Sequence, residues 1–142
     1  MKTFSRTIEL TEAQIEGLNT GSPVEFTLLS DGLPSDKAFV ITGAQAWKTS
    51  GGASTDGGAE INVYYAGGST PIAVFSNVDD TGSPGTGFLG AASINYIQAA
   101  AISTAVAVPC AGLGVTISSS AAIACATGTK AKIKLDCQVI DL

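Results

Sequence analysis

The sequence predicts an all-β protein: a single antiparallel β-sandwich or jelly-roll-like domain over residues 1–142, with one short N-terminal helix at about residues 11–18. Three observations lead to this prediction. Seven or eight short segments alternate apolar and polar residues, and turn clusters rich in Gly and Pro separate them. The composition is 45% hydrophobic but only 13% charged, with 17 glycines, which is a small-residue, β-leaning chain of one-domain length.

The first elements are a strand, SRTIEL, and then the helix. Thr11 lies three residues before Gln14, the spacing of a capping box, in which each side chain bonds the other residue's backbone N–H. Ile15 and Leu18, with Leu10 just before the cap, give the helix one apolar side for about two turns. So short a helix is stable only when it packs on the sheets, so we expect it to plug one end of the sandwich.

The middle of the chain supplies a short strand, VEFTLLS at 24–30, and a longer one, KAFVITGAQAW at 37–47. Both sides of the longer segment are apolar, which predicts a central strand. Strict alternation places Trp47 on the same side as Ile41, so we expect Trp47 in the core. In AEINVYY, at 59–65, alternation predicts that Tyr65 is buried and that Tyr64 points outward.

The last third begins with a short strand, PIAVFSN at 71–77, and an Ala-rich segment, 91–108, which suits either a helix or a flat strand against another subunit. Two strands follow, AGLGVTIS at 111–118 and KAKIKLDCQVI at 130–140. The second alternates most clearly of all. It predicts one solvated face carrying Lys130, Lys132 and Lys134, and an apolar face on which Cys137 is a small buried hydrophobe.

The residues carry little catalytic chemistry. The chain has no histidine, which is the commonest general base and zinc ligand, and no phosphate-binding or nucleophile motif. We interpret Asp79 and Asp80 as a solvated turn, because the ligand spacing of a calcium loop is missing. GGASTDGG, at 51–58, is interpreted as a hairpin tip or exposed loop. The sequence thus predicts no enzyme, no cofactor and no metal site.

The three cysteines are widely spaced and leave a Cys110–Cys125 disulfide as an open alternative. The aromatic residues Trp47, Tyr64, Tyr65 and Tyr96 are the candidates for a sugar-stacking platform. Burial is the usual role of aromatic residues, and only Tyr64 has outward parity. The aromatic residues therefore give weak support to a glycan site.

The net charge of −5 and the pI near 4.4 argue against nucleic acid as a partner, since phosphate binding needs a basic patch. The N-terminus has no apolar signal core, and no segment reaches the length of a membrane span, so we expect a soluble, unexported chain without a membrane partner. The low charge favours a surface that is partly covered in an assembly.

The opening stretch resembles a family of small tailed-bacteriophage virion proteins. In these proteins a strand is followed by a leucine-threonine-x-x-glutamine-isoleucine-x-x-leucine-asparagine-threonine stretch, a proline and an apolar strand. The resemblance is close over about fifteen residues and loose over most of the chain. The matching positions are Leu10, Thr11, Gln14, Ile15, Leu18, Asn19, Thr20 and Pro23, followed by VEFTLL.

The resemblance implies a jelly-roll-like capsid decoration or cement protein. Such a protein is made in the host cytoplasm, sits on the capsid surface of the virion, binds the outside of the major capsid protein lattice and stabilises the head. By analogy we expect a homotrimer, with the segment 91–108 in self-association. The residues before Leu10 and the loops 49–59 and 78–90 are the expected contact elements. The alternative is a receptor- or glycan-binding β module of a phage tail or fibre.

Overall fold

The computed structural model contains nine strands and one helix in its described part. It describes residues 2–19, 23–27, 37–51, 59–65, 71–75, 96–98, 101–102 and 114–141. The elements are β1 (Lys2–Thr11), α1 (Glu12–Gly17), β2 (Val24–Thr27), β3 (Lys37–Ser50), β4 (Ile61–Tyr65), β5 (Ala73–Phe75), β6 (Tyr96–Gln98), β7 (Ala101–Ile102), β8 (Gly114–Ser119) and β9 (Lys130–Asp141). The predicted fold class, all-β with one short N-terminal helix, is confirmed.

The strands form two antiparallel sheets. Sheet A has the order β1-β9-β3-β6, and sheet B has the order β2-β8-β4-β5-β7. The first strand pairs with the last, and successive strands alternate between the sheets except that β4 and β5, and likewise β7 and β8, follow each other within sheet B. Apart from the two-residue β7 at the edge of sheet B, this is the arrangement of a jelly roll.

One hydrophobic core lies between the two sheets. Its strand residues come from both sheets: Ile8, Leu10, Ile41, Ala44, Ala46, Ala131, Ile133, Leu135 and Cys137 from sheet A, and Ile61, Val63, Tyr65, Ala73, Phe75, Val115 and Ile117 from sheet B. The backbone N–H of Ile41 donates to the hydroxyl oxygen of Tyr65 at 3.0 Å. This bond joins the two sheets and confirms the predicted burial of Tyr65.

The alternation of β9 is confirmed from Lys130 to Cys137, whereas Gln138, Val139 and Ile140 are all half-buried. Ala131, Ile133, Leu135 and Cys137 are buried, whereas Lys130, Lys132 and Lys134 lie on the opposite side. Cys137 is 1% exposed, and burial raises the pKa of its thiol to about 12, against a smaller opposing effect of the Arg6 charge. The predicted role of Cys137 as a buried hydrophobe is confirmed.

The prediction that Trp47 belongs to the core is wrong. The register of β3 against β9 shifts between Ile41 and Gly43, so Thr42 is an extra residue and the strand has a β-bulge. The bulge reverses the parity of the positions from Gly43 to Lys48, where a second shift follows. Ala46 and Lys48 are therefore buried, and Trp47 lies half-buried on the outer side of sheet A.

Helix α1 closes one end of the sandwich, as its apolar side predicts. The backbone N–H of Gln14 donates to Thr11 Oγ1 at 3.3 Å, and the N–H of Thr11 donates to Gln14 Oε1 at 3.0 Å, so the capping box is present. Ile15 and Leu18 are buried in the core beside Leu10. The helix is thus held by its cap and by one apolar side.

The predicted contact segments are described only in part. Before Leu10, residues 2–9 belong to β1 and pair with β9 rather than forming a loop. Of the loop 49–59, the structure describes 49–51 and 59, and the loop 78–90 lies outside the described residues. In the Ala-rich segment 91–108 only β6 and β7 are described, and both are strands that pair within the chain.

Candidate functional surface

The outer side of sheet A carries three rows of residues, each running across β1, β9 and β3. We call these nine residues the polar face. The rows are Ser5, Asp136 and Gly43; then Thr7, Lys134 and Gln45; then Glu9, Lys132 and Trp47. Antiparallel pairing puts directly opposed residues on the same side of a sheet, so residues far apart in the sequence form one surface.

Asp136 is the centre of a hydrogen-bonded cluster on this face. Ser5 Oγ donates to its Oδ1 at 2.8 Å, and Gln45 Nε2 donates to its Oδ2 at 3.1 Å. Lys134 Nζ lies 3.8 Å from Oδ1. Each of the three adjacent strands therefore contributes at least one partner, and the carboxylate is held in one orientation.

A glycine makes room for this carboxylate. A Cβ built on Gly43 would lie only 2.8 Å from Asp136 Oδ2, closer than side-chain carbons approach other atoms. Thr42 and Gly43 both oppose Asp136 at the bulge, and Thr42 Oγ1 donates to the backbone oxygen of Asp136 at 3.4 Å. The bulge and the missing side chain of Gly43 together leave the space that the Asp136 carboxylate occupies.

The surroundings of Asp136 lower its pKa below the ordinary value of 3.8. Partial burial by itself raises the pKa, but the hydrogen bonds from Ser5 and Gln45 and the charge of Lys134 together outweigh it. Asp136 is therefore ionised at neutral pH, and its charge is largely compensated by neighbours on the face.

Basic residues are concentrated on sheet A. All seven lysines and arginines lie on β1, β3 and β9: Lys2, Arg6, Lys37, Lys48, Lys130, Lys132 and Lys134. These strands hold only three of the twelve acidic residues, namely Glu9, Asp136 and Asp141. The other nine acidic residues and no basic residue lie elsewhere in the chain. Lys48 is buried, whereas Lys130, Lys132 and Lys134 lie on the outer side.

The outer side of sheet B is different in character. Its described residues include Asn62, Tyr64, Val74, Thr116 and Ser118, all half-buried. Within the strands of sheet B, Glu25 is the one charged residue, and Glu60 directly precedes β4. Tyr64 points outward as predicted. The two sheets thus present faces of unlike chemistry, one charged and one nearly neutral.

The four aromatic candidates do not gather into one platform. Trp47 lies on the outer side of sheet A, Tyr64 on that of sheet B, and Tyr65 in the core. Tyr96 is opposite Trp47 in the pairing of β6 with β3. Trp47 and Tyr64 therefore lie on different sheets and do not belong to one sugar-stacking site.

The closed end of the sandwich is held by two carboxylates of α1. Glu12 Oε2 accepts from the backbone N–H of Gly128 at 2.8 Å, and Glu16 Oε2 accepts from that of Cys125 at 3.4 Å. These bonds fix the segment between β8 and β9 against the helix, and Ile123 of that segment is buried. The role of both glutamates is structural.

Several predictions about chemistry fall partly or wholly outside the described residues. Asp79, Asp80 and Cys110 are not among them, so the turn at 79–80 and the Cys110–Cys125 pairing stay open. Within the described ranges, no three His, Cys, Asp or Glu side chains are grouped to hold a metal ion. In the same part of the chain, no helix has the length and apolar character to span a bilayer.

Sequence patterns did not reveal the Asp136 cluster or the outward position of Trp47. The signal available was Gly43 within a strand pattern, since an isolated glycine there often marks a bulge.

Comparison with protein-family models finds no match for the chain. Comparison with curated proteins finds no match either.

Proposed function

We propose that this chain is a structural virion protein, a decoration or cement protein that binds the outside of the major capsid lattice of a tailed bacteriophage. The observation that carries the proposal is the structural role of the stretch that resembles such proteins. Thr11 and Gln14 form the capping box, and Leu10, Ile15 and Leu18 are buried in the core. The resemblance therefore rests on fold-determining residues, which supports a shared fold.

The architecture suits a protein that ties neighbouring subunits together against the outward pressure of packaged DNA. The ten residues of β1 pair with β9 throughout, so the first and last strands are held in one ladder. A rigid sandwich of this kind transmits load without an active site. Repetition over a shell supplies avidity, so each contact can be weak.

The partners in this proposal are the major capsid protein and further copies of the chain. A homotrimer is the assembly we propose, by analogy with decoration proteins at three-fold positions. The location is the capsid surface of the virion, after synthesis in the host cytoplasm. The proposed activity is binding, and it requires no catalysis.

The test is binding of the purified protein to expanded, empty capsids that lack it. We expect saturable binding in a fixed ratio to the major capsid protein, together with greater resistance of the capsids to heat or pressure. Competition between labelled and unlabelled protein controls for non-specific adsorption. Absence of saturable binding would contradict the proposal.

A second candidate function is glycan binding on a phage tail or fibre, and the position of Trp47 favours it. Trp47 lies outward beside Gln45 two residues away on the same side of β3, and indole rings commonly stack on sugars. A glycan array with the wild type and Trp47→Ala tests this candidate. Glycan hits that disappear in the variant would support it, whereas an array without hits would count against it.

A further inference from the structure

We infer that strand β1 pairs with β1 of a second copy of this chain, antiparallel and about a two-fold axis at Thr7, so that sheet A continues from one copy into the other. This inference goes beyond the proposed function and is independent of it, because purified protein without capsids is enough to test it. A two-fold contact through one strand also leaves the other surfaces of each chain available for the proposed trimer.

Strand β1 is the longest strand at a sheet edge. It has ten residues and pairs with β9 on one side, and no described strand pairs with its other side, which we call the open edge. Native proteins commonly keep edge strands short or interrupt them with proline or a bulge, because unpaired N–H and C=O groups are a template for another chain. Strand β1 has no proline and no glycine, and its register against β9 runs without a shift.

The backbone of Ser5 faces the open edge. In an antiparallel ladder a residue turns its N–H and its C=O to the same side, and successive residues alternate. Asp136, directly opposite Ser5, turns its carbonyl to β3, where it accepts from Thr42 Oγ1 at 3.4 Å. The carbonyl oxygen of Ser5 accepts from Arg6 Nη1 at 3.0 Å. The backbone groups of Ser5 and Asp136 therefore point away from each other.

The end of β1 gives the same assignment. The N–H of Thr11 donates to Gln14 Oε1 at 3.0 Å, so it is not directed at β9. Because Ser5 and Thr11 are both odd-numbered, the odd-numbered residues of β1 present their backbone groups at the open edge. The side chains of four of them are exposed, namely Thr3, Ser5, Thr7 and Glu9. The open edge is therefore accessible to a second strand.

A second β1 is the occupant that matches this edge in length. The other strands at sheet edges, β2, β6 and β7, have four, three and two residues. Among the described edge strands, only β1 itself can therefore pair along the whole of β1. Two identical strands that pair antiparallel are related by a two-fold axis, so the contact is self-complementary and closes at two copies.

Charge selects the register of this pair. Directly opposed residues lie on the same side of a sheet, so the axis must pass through a residue of β1. An axis at Arg6 or at Thr7 gives the longest pairing within Lys2–Thr11. An axis at Arg6 would oppose two like charges, which is destabilising. An inward-register charge such as Arg6 commonly guards an edge, and here it excludes one register while the next remains available.

The axis at Thr7 opposes compatible side chains. Thr7 lies opposite its own counterpart, and threonine pairs stabilise antiparallel strands. On the same side of the sheet, Ser5 lies opposite Glu9 of the second copy. On the core side, Phe4, which packs against the core, lies opposite Leu10 of the second copy, so apolar residues meet there. No like charges are opposed in this register.

Sedimentation velocity of the purified protein over a range of concentrations measures the pairing. Thr7→Lys and Thr3→Lys are a matched pair, because each replaces an exposed threonine of β1, but only Thr7→Lys opposes two like charges across the axis. Thr7→Pro and Thr7→Ala are the second pair. Proline removes the N–H that faces the open edge and no bond to β9, whereas alanine keeps this N–H. Thermal unfolding of each variant verifies that it is folded.

We expect the wild type to show a concentration-dependent equilibrium between one chain and two. Thr7→Lys should weaken the pairing about tenfold or more at low salt and less at high salt, since ions screen the repulsion. Thr7→Pro should weaken it about tenfold, because the two-fold axis makes each lost hydrogen bond count twice. Thr3→Lys and Thr7→Ala should weaken it by less than about threefold.

Each contrary result has a separate meaning. A wild type that stays a single chain up to millimolar concentration overturns the inference, and so does pairing that Thr7→Lys and Thr7→Pro leave unchanged. Trimers that persist in both variants overturn it and support the proposed trimer. If single chains bind capsids and Thr7→Pro abolishes this binding, β1 pairs with a strand of the capsid protein and the inference is wrong. Protein that pairs as expected but does not bind capsids supports the inference and removes the proposed function alone.

Discussion

Gly43 lies beneath the carboxylate of Asp136, so that a Cβ at position 43 would come within 2.8 Å of Asp136 Oδ2. The Gly43→Ala substitution must displace this carboxylate and disturb its bond from Gln45. A hydrogen bond to a charged group contributes about 1.5–3 kcal/mol to stability. Replacing Gly by Ala stabilises the folded state by about 0.4–1 kcal/mol, because it reduces the conformational entropy of the unfolded chain. We expect a net loss of about 1 kcal/mol in urea unfolding.

A double-mutant cycle provides the control for that loss. In an Asp136→Ala background the carboxylate is absent, so Gly43→Ala should be neutral or slightly stabilising. An equal loss in both backgrounds would show that the contact between residues 43 and 136 is not the cause.

The lowered pKa of Asp136 predicts an acid-dependent contribution to stability. Because the folded-state pKa is below the ordinary value of 3.8, the contribution is fully present above that value and is lost as the pH falls through the folded-state pKa. The difference in free energy of unfolding between wild type and Asp136→Asn should therefore be largest at neutral pH and shrink below about pH 4. Urea titrations across this range measure it, and a difference independent of pH would argue against the prediction.

Two glycines with positive φ near the closed end predict unequal tolerance of alanine. Gly51 has φ +99, and its Cβ would lie 2.6 Å from the Cα of Thr129, whereas Gly128 has φ +80 and open space around it. Gly128→Ala should cost only the left-handed conformation, about 1–2 kcal/mol. Gly51→Ala adds a clash with backbone and should cost more than about 3 kcal/mol. Similar unfolding free energies for the two variants would contradict the predicted clash.

The capping box of α1 predicts that substitutions at Thr11 lower the free energy of unfolding by different amounts. Thr11→Ala removes the side-chain oxygen that accepts from Gln14 and should lower the free energy of unfolding by about 1 kcal/mol. Thr11→Ser keeps this acceptor and should cost much less. Chemical denaturation of both variants measures the difference, and equal losses would mean that the cap is not the source of the stability.

Local patterns in the sequence predict correctly which residues are buried wherever the strand ladder is regular. The alternation of Lys132 and Ile133 in β9 identifies its two sides correctly, and Thr11 with Gln14 identifies the helix start. These features depend on a period of two residues or on a spacing of three, both of which are local.

Strand alternation predicts the wrong side for Trp47, because one inserted residue, Thr42, reverses the parity of β3 from Gly43 to Lys48. Alternation cannot detect such an insertion, although Gly43 marks its place. The Asp136 cluster was also beyond local patterns. Ser5 and Asp136 are 131 residues apart, and only the pairing of β1 with β9 brings them together.

The copy number of this chain in separated heads and tails of the phage particle tests the proposed function most directly. Quantitative mass spectrometry of the two fractions, scaled to the major capsid protein and to a major tail protein, provides it. A decoration protein should occur in many copies on heads, in a fixed ratio to the capsid subunit, and should be missing from tails. A few copies per particle, or copies confined to tails, would contradict the decoration function.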